Sequence, residues 1–141
     1  QRNPMSRFIL SCIIVIMSSC GEKTPPVNIY DSDEYKNLTR KEIIVGESIW
    51  ATACFRCHRY GINGATVLEN KAYWDQTATK GLDELYKSVW EGKKGEIGAM
   101  PPKGFCNLCS EDEIKKSVLY IFHLAKKVQE SEKNNNSAEQ E

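Results

Sequence analysis

Cys54-Phe55-Arg56-Cys57-His58 lies near the middle of the chain. Two cysteines three residues apart, followed at once by a histidine, form the C-x-x-C-H signature of covalent haem attachment. The spacing has a chemical reason. Thiols this far apart add to the two vinyl groups of one porphyrin, and the adjoining imidazole then turns toward the iron. Cys54, Cys57 and His58 are therefore the first candidate site residues.

The pattern upstream of the motif predicts a helix. Thr39 and Glu42 make a Thr-x-x-Glu capping box. Ile43 and Trp50, seven apart, share a face, and Gly46 lets a partner helix approach that face closely. Downstream, Leu82, Leu85, Tyr86, Val89 and Trp90 recur at helical spacing until Gly92. A third helix opens on a second capping box, Ser110 with Glu113, and carries Ile114, Val118, Ile121, Phe122, Ala125 and Val128 on one face. A short helix over Lys71–Asp75 is expected, with Asn70 as its cap. No strand pattern stands out, so the expected class is all-α.

The ends read differently. Arg7 precedes an apolar run, Phe8 to Met17, about half the roughly 20 residues that span a bilayer. Met5 is the expected initiator. Met17-Ser18-Ser19-Cys20 looks like the lipobox of bacterial lipoproteins. Residues 1–19 are thus expected to be a signal peptide with upstream residues, and Cys20 the lipidated anchor. The expected flexible linker covers 20–37, the folded domain 38–129, and a disordered tail 130–141. Lys+Arg and Asp+Glu both number 19 in the 141 residues. That balance argues against a strongly basic nucleic-acid binder. Residues 38–129 alone hold 14 basic and 11 acidic side chains. Arg56, Arg59, Lys94 and Lys103 flank the candidate site as a positive rim.

An electron-carrying haem iron needs a second axial ligand. From Cys20 onward Met100 is the one methionine. It sits in Gly98-Ala99-Met100-Pro101-Pro102-Lys103-Gly104, where two prolines restrict the backbone. A methionine there has no helix face to fill, which favours ligation. His123, on the third helix, is the competitor. The second pair, Cys106-Asn107-Leu108-Cys109, has three readings. A local disulfide is the expected state of exported thiols. A four-cysteine zinc site with Cys54 and Cys57 would need a spacer of 48 residues, against roughly 15–20 in such sites. A catalytic dithiol would need a thioredoxin-like setting that the pattern lacks. The disulfide is favoured.

Together these residues resemble a class I cytochrome c, and more narrowly the cytochrome c-five family, over about Lys41 to Leu124. The C-x-x-C-H segment carries the resemblance, as do Lys71-Ala72-Tyr73-Trp74 and Lys80-Gly81-Leu82-Asp83-Glu84-Leu85-Tyr86. Met100-Pro101-Pro102-Lys103-Gly104-Phe105-Cys106-Asn107-Leu108-Cys109-Ser110 is its most specific part. The resemblance implies three main helices wrapped around one covalently bound haem c. Cys54 and Cys57 would be the thioether sites, His58 and Met100 the axial ligands, and Cys106–Cys109 a disulfide. It implies that the first and third helices cross where Gly46 and Trp50 meet Tyr120 and Ile121. Family members commonly have proline where this chain has Thr66, at the carbonyl that accepts a hydrogen bond from the proximal histidine.

The expected function is membrane-tethered electron transfer in the bacterial periplasm, with redox proteins as partners, a monomeric state and no enzymatic activity. The alternatives are a haem module that binds a ligand by displacing Met100, and a zinc module held by four cysteines.

Overall fold

The computed structural model describes residues 25–138. The expected signal peptide, the lipobox-like stretch and Cys20 lie outside the described residues. Among those described the fold is helical apart from one two-residue ladder. Helix α1 covers Asp33–Lys36, α2 Arg40–Ile49, α3 Phe55–Tyr60, α4 Lys71–Ala78, α5 Gly81–Glu91 and α6 Glu111–Ala138. Strands β1 (Lys93–Lys94) and β2 (Ala99–Met100) pair antiparallel, Lys93 opposite Met100.

Both capping boxes form. Thr39 N–H donates to Glu42 Oε2 at 2.9 Å while Glu42 N–H donates to Thr39 Oγ1 at 3.3 Å. Ser110 and Glu113 repeat the exchange at 2.8 and 3.4 Å. Each box satisfies backbone donors that a helix start leaves unpaired. Between α2 and α3 the chain stays helical but widens into a π turn over Trp50–Cys54. Thr52 Oγ1 donates back to the Ser48 and Ile49 carbonyls there, at 2.9 and 3.2 Å. Such turns occur mostly as single insertions in α-helices, frequently at functional sites.

Helix α2 crosses α6 at Gly46. A Cβ on Gly46 would stand 2.5 Å from the Lys116 carbonyl oxygen and 2.6 Å from Tyr120 Cβ. The core beneath this crossing holds Trp50, Trp74, Leu85, Val118, Phe122 and Ala125, all buried. The small sheet is the part that periodicity missed. Two residues per strand are too few to show alternation.

Two boundaries differ from expectation. Ile29, assigned to the linker, is fully buried in the core. Tyr30 packs edge-on to Phe122, ring centroids 5.8 Å apart. Asn28 and Ser32 side chains cap the turns that follow them. The linker composition of 28–36 is thus turn and cap composition, because Asn, Asp and Ser serve both uses. At the other end α6 continues to Ala138, into the segment expected as a disordered tail. Its last turns lack an apolar stripe; Glu130, Glu132 and Lys133 are good helix formers that extend a helix already nucleated, and the asparagines from 134 on are weak ones carried along with it.

Candidate functional site

The π turn and α3 present Cys54, Cys57 and His58 to a cleft of about 260 Å³. The stretch that carries Met100 and Pro101 lines the same cleft. A second cavity of about 90 Å³ adjoins it and shares Cys54, His58 and Met100. The two sequence segments, more than 40 residues apart, are thus brought to line one cleft. His123 is not among the residues lining either cavity. It lies beside Tyr120 instead, ring centroids 6.4 Å apart.

Helix α3 ends at Gly61, whose φ of 69° is left-handed and whose N–H returns to the Cys57 carbonyl. The chain then doubles back so that the Thr66 carbonyl lies 3.0 Å from His58 Nδ1. A carbonyl can only accept, so Nδ1 carries the proton and Nε2 keeps its lone pair. Burial pushes the imidazole pKa down, and the bond to Thr66 opposes that in part. The ring is therefore held neutral, the form that ligates iron. Thr66 supplies the acceptor without a proline.

Cys54 and Cys57 are free thiols. Burial, and then the neighbouring Cys57, push the Cys54 thiol up to about 11. Cys106 and Cys109 are joined as a disulfide, Cα atoms 5.5 Å apart. That bond removes two of the four thiols a four-cysteine zinc site would need, and it overturns the zinc alternative.

The methionine wall is tightly specified. Gly92 has φ 79°, and a Cβ there would meet the Met100 carbonyl oxygen and the Pro102 nitrogen, each at 2.8 Å. After the prolines, Lys103, Gly104 and Phe105 are all left-handed, with φ of 53°, 59° and 69°. Left-handed backbone is costly for the two residues that are not glycine. The Lys103 ammonium lies 3.7 Å from the centre of the Trp90 ring, a cation–π contact that ties this run to α5.

Two members of the expected positive rim have partners inside the molecule. Lys103 is engaged with Trp90, and Arg59 pairs with Glu69. Arg56 and Lys94 are exposed, and Lys93, which the rim omitted, lines the cleft. Trp74 is buried and donates its indole N–H to the Val67 carbonyl at 2.8 Å.

The donor set fits a covalently attached haem. Two free thiols, a neutral imidazole with an available Nε2 and a thioether all border one largely apolar cleft. Comparison with known proteins agrees. Residues 41–121 match the family described as cytochrome c oxidase, cbb3-type, subunit III. Cytochrome c5 of Ectopseudomonas mendocina is 36% identical over 74 residues, 51% of this chain and 80% of that protein. Cytochrome c5 of Azotobacter vinelandii is 36% identical over 75 residues, 52% of this chain and 86% of the other. Cytochrome c-555 of Chlorobaculum tepidum is 28% identical over 90 residues, 64% and 83% of the two chains. With a family match over more than half its length and a helical fold built around this cleft, the chain belongs to the class I c-type cytochromes, resembles cytochrome c5, and is a haem c electron-transfer protein.

Proposed function

We propose that the protein is a membrane-tethered periplasmic electron carrier with His/Met axial ligation. Cys54 and Cys57 form the thioether bonds, and His58 and Met100 are the axial ligands. The observation that carries this reading is the shared cleft. Cys54, His58 and Met100 all line it, and the smaller adjoining cavity touches the same three residues.

When bound, the haem supplies a one-electron ferric/ferrous couple, with a potential raised by methionine relative to histidine alone. The protein's part is to keep both axial positions filled and to keep the ligands still. His58 stays neutral and oriented through Thr66. The Met100 stretch is fixed by Gly92, by Pro101 and Pro102, and by Lys103 on Trp90. With both positions filled no substrate reaches the metal, so the protein has no enzymatic activity. Arg56, Lys93 and Lys94 steer an acidic redox partner. Cys20 carries the lipid that retains this monomeric domain at the membrane. Ile29 is anchored in the core, so the tether from Cys20 is nine residues, about 30 Å when fully extended.

The test is Met100→Ala in the haem-loaded protein. The low-spin methionine-ligated spectrum should disappear, and carbon monoxide should then bind the ferrous form rapidly. A low-spin methionine spectrum that persists in the variant would refute the ligand assignment. Rapid carbon monoxide binding by the unaltered protein would favour a ligand-binding haem module instead.

A further inference from the structure

Three consecutive carbonyls after α3 each accept a hydrogen bond from a different element. Thr66 accepts from His58 Nδ1 at 3.0 Å, Val67 from Trp74 Nε1 at 2.8 Å, and Leu68 from Gln129 Nε2 at 3.2 Å. The donors stand on α3, α4 and α6. Residues 65–67 belong to no helix or strand. Among the described residues, the backbone bonds of this stretch are two turn contacts, Ala65 N–H to the Ile62 carbonyl at 3.1 Å and Asn70 N–H to the Val67 carbonyl at 3.3 Å, and neither involves Thr66. A proline at position 66 would fix φ there by its ring; threonine leaves it free to rotate. The Trp74 indole is buried, and its N–H has to find an acceptor or lose about 1–3 kcal/mol of solvation. Gln129 lies beyond residue 121, outside the stretch matched to the family.

We propose that Trp74 and Gln129 are positioning residues for His58. They clamp the carbonyls next to Thr66 and thereby supply the rigidity that the missing proline would give. The inference rests on His58 being the axial ligand. A fixed acceptor on Nδ1–H keeps the ring in one orientation and makes Nε2 a stronger donor to iron. Loosening the clamp weakens that bond, disfavours the ferric form and raises the reduction potential.

The experiment uses the haem-loaded full chain. Gln129→Met keeps the side-chain length and removes the donor. Solvent exchange of the His58 Nδ1–H, followed by proton NMR, should speed up roughly fivefold, the contribution of one ordinary hydrogen bond. The reduction potential should rise in parallel. Adding Thr66→Pro to Gln129→Met should restore both. A fall in melting temperature with exchange and potential unchanged would overturn the proposal, because the contact would then be structural only. Should Gln129→Met not load haem, Thr66→Pro alone decides. It should leave exchange in the parent protein unaltered, since the clamp already supplies the rigidity. A several-fold slowing would overturn the proposal. Absence of a haem-shifted imidazole resonance in the parent would instead remove His58 as ligand, a separate failure.

Discussion

Replacing Gly46 with alanine sets two effects of opposite sign against each other. In the middle of a helix the exchange contributes about 0.8–1.0 kcal/mol of propensity. At this position the new Cβ would stand 2.5 Å from the Lys116 carbonyl oxygen and 2.6 Å from Tyr120 Cβ. Neither obstacle is the end of a flexible side chain, so α2 and α6 must move apart along their crossing. Overpacking a tight contact costs about 1–3 kcal/mol, more where backbone must shift. The upper end applies here, and the net loss is about 2 kcal/mol once propensity is subtracted. For a domain of this size that lowers the melting temperature by about 10 °C. The assay is thermal unfolding of the haem-loaded protein by far-ultraviolet circular dichroism. Ser48→Ala, two residues on in the same helix and exposed, is the control and should not lower the midpoint. An unchanged or raised midpoint for Gly46→Ala would refute the reasoning. It would mean that the crossing has slack and that propensity decides.

The capping boxes predict an acid limit. Hydrogen bonds from Thr39 hold the Glu42 carboxyl below its ordinary 4.5, and those from Ser110 do the same for Glu113. Each folded-state pKa lies below the unfolded one, so this stabilisation is fully present above about pH 4.5 and fades as pH falls through the lowered values. A Glu42→Gln, Glu113→Gln double variant should show a flatter loss of melting temperature between pH 5 and 3, in a range set by those pKa values. Lys103→Gln removes the cation over Trp90. It should speed displacement of Met100 by added imidazole several-fold, since such contacts contribute about 0.5–2 kcal/mol, while Lys103→Arg keeps the parent rate; equal rates for both variants would count against the clamp. Cys20→Ser should move the protein from the membrane to the soluble fraction of cells, and retention in the membrane would rule out the lipid tether.

The helices were legible because their signals are local. A capping box is four residues long, and Leu82, Leu85, Val89 and Trp90 announce one face within three turns. The candidate ligands could be named because C-x-x-C-H and the Met-Pro-Pro stretch contain their own chemistry, and the residues so named line one cleft. What escaped was set by partners distant in sequence. Ile29 is apolar, but nothing beside it shows that Phe122 and Trp74 leave room for the N-terminal segment. Lys103 looks like surface charge until Trp90 is placed under it. The carbonyls of Thr66, Val67 and Leu68 have no side-chain signature at all, and their donors come from three separate elements. Thr66 itself was noticed only as a departure; what compensates for it lies eight residues on at Trp74 and more than sixty on at Gln129.

The crossing of α2 with α6 joins positions about 70 residues apart, and that separation imposes an order of events on a chain made from its N-terminus. Cys54, Cys57 and His58 emerge long before Lys116 and Tyr120 exist to receive Gly46. Until α6 arrives, α2 has nothing to close against, and long-range closure is the slow part of folding. The thiols are half-buried in the finished domain, yet during that interval they stand on an open chain. Topology thus leaves time for covalent chemistry at the motif, and the last helix, by docking, ends it.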